Sequence, residues 1–388
     1  MQMTRPRLDS IDLLRGLVMV LMALDHTRDF FHNSAFNPLD LARTNEALFL
    51  TRWVTHFCAP VFMFLAGTGA YLSLTRGKTK VQLAWFLCTR GLWLVVLELT
   101  VVHFGWYFNF DYRYSLAQVI WALGWCMVIL APLVFLPTRL VGLIGIVIIA
   151  GHNLFDNVRP FAWGDLSWLW MVLHVPGTLS PLPDMQLYLL YPLVPWIGVM
   201  AAGYAFGELF TWDEQRRRKW LLSIGSGLTQ LFIVLRYTNW YGDPRPWMPQ
   251  KDFVFTLFSF INCEKYPPSL LFLLMTLGPA IVALPWFERI AITRIGQPFV
   301  SFGRVPLFYY LIHLQLIHAA AFVAAYLRFG RADWLVAIPA LQRPPRDNGY
   351  DLWVVYLVWL GIVLTLYPIC HWLAHVKQRY RAAWLSYL

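Results

Sequence analysis

Charge is scarce in this chain. Only 13% of its 388 residues are Asp, Glu, Lys or Arg, about half the share usual in a soluble domain. Cysteine is equally sparse and carries no pattern. Cys58, Cys88, Cys126, Cys263 and Cys370 are odd in number and widely spaced, so neither a disulfide framework nor a CxxC or His/Cys metal set is indicated. They read as apolar thiols, and no metal is expected. Gly-x-Ser-x-Gly, P-loop and GxGxxG patterns are absent, which removes the simplest hydrolase and nucleotide-binding readings. No small-residue cleavage site follows the first apolar segment. It ends in Asp25-His26-Thr27-Arg28-Asp29, so it is expected to stay as a signal anchor. Neither is there an internal repeat of the kind that marks inverted-repeat transporters.

What the chain has in abundance is apolar length. Hydrophobic residues make up 59% and arrive in runs of about 20, enough to cross roughly 30 Å of hydrocarbon. Aromatics are 17% and gather at the ends of those runs, as interfacial belts do. The expected fold is an all-α polytopic membrane bundle of about ten transmembrane helices, forming a single domain over residues 1–388. The spans are placed near 11–31, 53–75, 83–105, 115–136, 139–152, 187–209, 220–237, 268–287, 297–327 and 351–373.

The net charge is +10. In a membrane chain this reads as positive-inside topology and attraction to anionic lipid or a phosphorylated substrate, not as nucleic-acid binding. Basic clusters follow the second span (Arg76, Lys78, Lys80) and the sixth (Arg216, Arg217, Arg218, Lys219), and others stand at both ends, with Lys377, Arg379 and Arg381 in the tail. With ten spans all four lie on one side, so both termini are expected to be cytoplasmic. Loops 33–50, 153–185, 238–266 and 330–349 then face the other side.

Ionisable residues inside a membrane span are functional-site candidates by default, and the first span concentrates them. It opens from Arg7 through Asp12 and Arg15 and closes on Asp25 and His26. At about 100° per residue Arg15 and His26 share a face, with Asp12 within roughly 40° of it. At about 1.5 Å per residue they stand some 16 Å apart along the axis. A cation thus lies near one mouth and an imidazole near the other. Asp12 and Arg15 also read as a structural i,i+3 pair. An imidazole exchanges protons near neutral pH, as a general base must. Asp25 is a candidate to orient it, although adjacent helical side chains diverge by about 100° and Arg28, at i+3, is an alternative partner.

Arg52 and His56 open the second span at i,i+4, followed by Pro60 and the Ala66-Gly67-Thr68-Gly69 run, which reads as a packing notch. Arg28, Asn37, Arg52 and His56 are candidates to contact an acceptor substrate. Arg90 and Glu98 suggest a buried charge system in the third span. Tyr309 and His313 share a face in the ninth, where a helix-facing histidine reads first as a satisfied core residue.

Several stretches resemble a known family. Ser10-Ile-Asp12-Leu-Leu-Arg15-Gly16 through Asp25-His26, His56-Phe-Cys58-Ala-Pro60, Pro267-Pro268-Ser269 and Gly303-Arg304-Val-Pro306 through His313 are similar to the bacterial heparan-α-glucosaminide N-acetyltransferase-like proteins. The first span also resembles that of the wider transmembrane acyltransferases, whose pattern is Asp, Arg three on, and His eleven further. The resemblance implies an enzyme that moves an acyl group, typically acetyl from cytoplasmic acetyl-CoA, to an extracytoplasmic sugar hydroxyl or amine. It implies a bacterial inner-membrane location, with acyl-CoA, a glycan or amino-sugar acceptor and lipid as partners; a homodimer is admitted. His26 is then the catalytic base. Lysosomal relatives have Asn there and place their histidine in a Phe-x-His-x-Ser context, to which Phe30-Phe31-His32-Asn33-Ser34 is similar, so His32 competes with His26. Asp12, Arg15, Arg76, Lys78 and Lys80 are the expected contacts to the CoA phosphates. The rival reading is a transporter or flippase without acyl transfer.

Overall fold

The computed structural model describes residues 8–34, 36–337, 344–345, 347–380, 385 and 387; Arg7 and Arg381 lie outside them. In chain order the α-helices are α1 (Asp9–Phe31), α2 (Glu46–Val54), α3 (Cys58–Thr75), α4 (Lys80–Leu97), α5 (His103–Tyr107), α6 (Val119–Leu133), α7 (Thr138–Gly151) and α8 (Ser167–Leu173). They continue as α9 (Leu193–Phe206), α10 (Glu214–Thr238), α11 (Phe253–Ile261), α12 (Leu270–Ile290), α13 (Gly296–Arg304), α14 (Pro306–Phe329), α15 (Asp333–Val336) and α16 (Leu352–Arg379). Strands β1 (Tyr114–Ala117), β2 (Gly177–Leu179) and β3 (Gln186–Leu189) are short, and β2 pairs antiparallel with β3, Thr178 opposite Tyr188.

Among the described residues eight helical segments are long and apolar enough to cross a membrane. The 23-residue α1 carries too many charges for that test, and α6 is shorter at 15 residues. Together they match the ten expected spans, and the protein is an all-α polytopic membrane protein. Four of the five cysteines are buried and all carry free thiols.

Four expected spans differ in detail: the fourth and sixth open in strands β1 and β3 and become helical only at Val119 and Leu193, and the ninth and second depart further. The ninth is two helices, because Val305 leaves the helical region (φ −129°, ψ 47°) between α13 and α14. Pro306 is the cause: its ring crowds the preceding residue out of the α conformation, while its fixed φ suits the first position of α14. The second span starts earlier, at Glu46, with Asn45 capping the Leu48 amide, and it tightens into a 3-10 turn over Thr55–Phe57. Pro60 has no N–H to give the His56 carbonyl, so Arg52 and His56 do not lie on one regular helical face.

The contacts gather into two compact units, one of residues 59–98 and 116–286, the other of residues 9–58, 99–115 and 287–388. In the first, α4 packs on α6 and α7 on α9. Gly67 is the expected notch: a Cβ there would sit 2.0 Å from the Met200 carbonyl oxygen. In the second, α1 packs along α13, α14 and α16. It meets α13 closely at Gly303, where a Cβ would lie 1.8 Å from the Asp12 carbonyl oxygen, so only glycine allows the two backbones to meet there.

Candidate active site

The second unit gathers an aromatic and imidazole cluster around the far end of α1. His26 Nδ1 lies 2.8 Å from His313 Nε2 on α14. Trp106 of α5 meets the His26 ring edge-on at a centroid distance of 5.1 Å, and Tyr310 does so at 6.3 Å. Trp106 also stacks on Phe30. A π-helical turn at Glu98–Val102 precedes α5; such turns re-aim the residues that follow and recur at functional sites. Glu98 itself accepts from the Gln118 and Trp121 amides at the start of α6.

The hydrogen bonds determine where protons sit. His313 Nδ1 lies 2.9 Å from the Tyr309 carbonyl oxygen one turn back. A carbonyl only accepts, so Nδ1 of His313 carries a proton, and in the neutral ring Nε2 is an acceptor. His26 must then donate from Nδ1, which makes its Nε2 the basic nitrogen. His313 is completely buried, whereas His26 retains 9% exposure.

Asp25 stands beside His26 in sequence but has other work. Its Oδ1 accepts from Arg28 Nη2 at 2.9 Å and its Oδ2 from Arg52 Nη1 at 2.5 Å. Arg28 also bonds Asp29, and Arg52 also donates to Thr55 Oγ1. Two acids and two arginines thus neutralise one another at the α1–α2 junction. His56 is fully buried. Asn37 is exposed, and its Oδ1 accepts the Leu39 amide in a turn.

His32 ends α1 differently. Its Nδ1 accepts the Ser34 amide at 2.9 Å and lies 2.7 Å from Ser34 Oγ. An amide only donates, so the basic nitrogen of His32 is already engaged. Burial, and after it the Arg28 charge, holds the His32 imidazole below its ordinary range.

The opposite end of α1 is an ion-pair joint. Arg15 Nη1 donates to Asp12 Oδ1 at 3.1 Å and to the Gly303 carbonyl at 3.3 Å. Arg304 donates to Asp9 at 2.8 Å and approaches Asp12. These bonds frame the α1–α13 contact, which supports the structural reading of Asp12 and Arg15, while Arg15 keeps 18% of its side chain exposed. Arg76, Lys78 and Lys80 lie in the other unit. Arg76 and Lys80 are exposed, and the Lys80 ammonium caps α6 through the Phe135 and Leu136 carbonyls. Lys78 rests on the Phe86 ring, and burial, then Arg90, lowers its basicity.

Sequence reasoning missed His313, Tyr309, Tyr310 and Trp106 as neighbours of His26. Each lies in an apolar helix where it reads as core, and only packing joins residues 287 positions apart. The one available signal was the motif-like stretch from Gly303 to His313.

A family model described as the heparan-alpha-glucosaminide N-acetyltransferase catalytic domain matches residues 7–236, more than half of the chain. The chain belongs to that family. The match includes Asp25, His26, His32, Arg52 and Trp106 and ends before Tyr309 and His313. No curated protein matches the chain.

Proposed function

We propose that the protein transfers an acetyl group from cytoplasmic acetyl-CoA to a sugar hydroxyl or amine on the far side of a bacterial inner membrane, with His26 as general base. The observation that carries this reading is the relay from the Tyr309 carbonyl through His313 to His26, which puts the proton of the neutral His26 ring on Nδ1 and the lone pair on Nε2.

His26 Nε2 takes the proton from the acceptor as its oxygen or nitrogen attacks the thioester carbon. The C–S bond then breaks, and the imidazolium returns the proton to the departing thiolate. No acyl-enzyme is required. While His26 is charged, its Nδ1–H points at a neutral acceptor held by a backbone carbonyl, so the imidazolium is stabilised without reorganisation. Trp106 and Tyr310 wall the ring and restrict water. Arg15 supplies positive charge for the CoA phosphates. The Asp25–Arg28–Arg52 cluster acts by positioning the α1 end against α2. His32 is the weaker candidate base, because Ser34 occupies its acceptor nitrogen.

Membranes carrying His26→Ala and His32→Ala are assayed separately for acetyl transfer from acetyl-CoA. Loss of a general base lowers the rate by about 10²–10⁴-fold. That loss is expected for His26→Ala, with most activity kept in His32→Ala. The opposite pattern would transfer the role to His32, and full activity in both would remove the mechanism.

A further inference from the structure

In the first unit, three metal-competent side chains converge where the Thr138–Phe155 span ends. His152 opens the 3-10 turn after α7, Asp156 follows that turn, and His174 caps α8. One potential ligand atom from each lies within 4.8 Å of the others. His152 and His174 are almost fully buried. Both ring nitrogens of His152 and the Nδ1 of His174 are buried without a hydrogen-bond partner. Native proteins pair nearly all such atoms, and here each histidine keeps at least one unpaired ring nitrogen, in a cluster that includes the Asp156 carboxylate.

The surroundings are those of a ligand set. His174 Nε2 lies 2.8 Å from the His152 carbonyl oxygen, so Nε2 carries the proton and the unpaired Nδ1 keeps its lone pair. A metal-bound histidine is ordinarily oriented in this way. Asn153 Nδ2 holds Asp156 Oδ2 at 2.9 Å, and Asn153 Oδ1 is itself fixed by the Leu270 amide at 2.9 Å. Trp170 stacks on His174 and anchors its own indole N–H on the Val158 carbonyl.

We propose that His152, Asp156 and His174 bind a zinc-class divalent cation that ties the end of α7 to the end of α8. Two imidazoles and one carboxylate suit zinc and its neighbours, whereas magnesium and calcium select oxygen ligands. Bond lengths of about 2.0–2.1 Å bring tetrahedral ligand atoms to roughly 3.3 Å from one another, a closure that side-chain rotation supplies. The fourth position is left for water.

The test uses the purified full chain in detergent, stripped with a chelator and titrated with Zn²⁺, with Mg²⁺ as control. About one Zn²⁺ per chain is expected, with a higher unfolding temperature in Zn²⁺ and no shift in Mg²⁺. Asp156→Asn and His174→Gln should each weaken binding at least about 100-fold, beyond the 10–100-fold typical of outer-shell losses. His375→Ala, which removes half of the His371–His375 pair on α16, should leave binding intact. Zinc X-ray absorption on the unaltered protein reads the ligands directly and does not depend on the variants folding. No bound Zn²⁺, a zinc shell without imidazole, or unchanged binding in both ligand variants would overturn the proposal.

Discussion

Residue chemistry separates the two histidines that the sequence leaves in competition. His26 is buried within α1, His32 is half-buried just past its end, and both have a fixed tautomer. At His26 the fixed proton is on the nitrogen that faces His313, so the basic nitrogen is the other one. At His32 the basic nitrogen faces the Ser34 amide. The lowered basicity of His32 has a consequence for stability. The unfolded chain takes up a proton near pH 6.5 and the folded chain only at lower pH. Stability from this group is therefore present above that value and is lost as pH falls through the folded pKa. The unfolding temperature should drop between about pH 7 and pH 5 more steeply in the unaltered protein than in His32→Asn; equal slopes would show that His32 does not titrate differently on folding. Asp25 is tested by substitution too. Asp25→Ala leaves Arg28 and Arg52 without their shared carboxylate. Arg28 keeps Asp29, but Arg52 loses Asp25; breaking a buried pair costs about 3–5 kcal/mol, so a fall in thermal midpoint is expected, and an unchanged midpoint would mean that the Asp25 pairs contribute nothing to stability.

Helices and their joints carry the next level. The path of α1 was readable from its length and from its charges at i,i+3 spacing, and the Asp12–Arg15 pair forms as that spacing allows. The contact surface was not readable. Gly16 and Gly303 are ordinary glycines in sequence, but a Cβ on either would lie 1.8 Å from a carbonyl oxygen of the facing helix. Gly303→Ala must push α13 from α1, and overpacking of this kind costs about 1–3 kcal/mol or more. A midpoint equal to that of the unaltered protein would show that the helices are not locked there. The same joint brings Arg304 to Asp9 and Asp12, so Arg15→Ala leaves Asp12 with a cation. Its stability loss should be small, and its effect is best read in CoA affinity: weaker binding assigns Arg15 to the donor, and unchanged affinity confines it to the joint. Prolines punctuate these elements in a way visible in advance, but their exact effect depended on neighbours. Pro306 starts a new helix, whereas Pro279 and Pro285 lie within the continuous α12.

For the whole molecule, the family and the membrane class make a direct prediction. A ligand that binds only the folded chain stabilises it by about 2.7 kcal/mol at 100 times its dissociation constant. CoA should raise the unfolding temperature of the purified protein, and a transporter without acyl chemistry would show no such shift. Sequence by itself determined the class, because hydropathy in runs of about 20 residues is a local property that lipid reads directly. It also determined the approximate positions of the spans, the charged ends of α1 and the pair of candidate histidines, each of which is a feature of one continuous stretch of sequence. Tertiary structure alone decided which polar groups meet. His26 finds His313 across 287 residues, Asp25 finds Arg52 across 27, and His152 and Asp156 find His174 from another helix. Tautomers follow from those partners, and partners at long range depend on how helices pack, which no local spacing records.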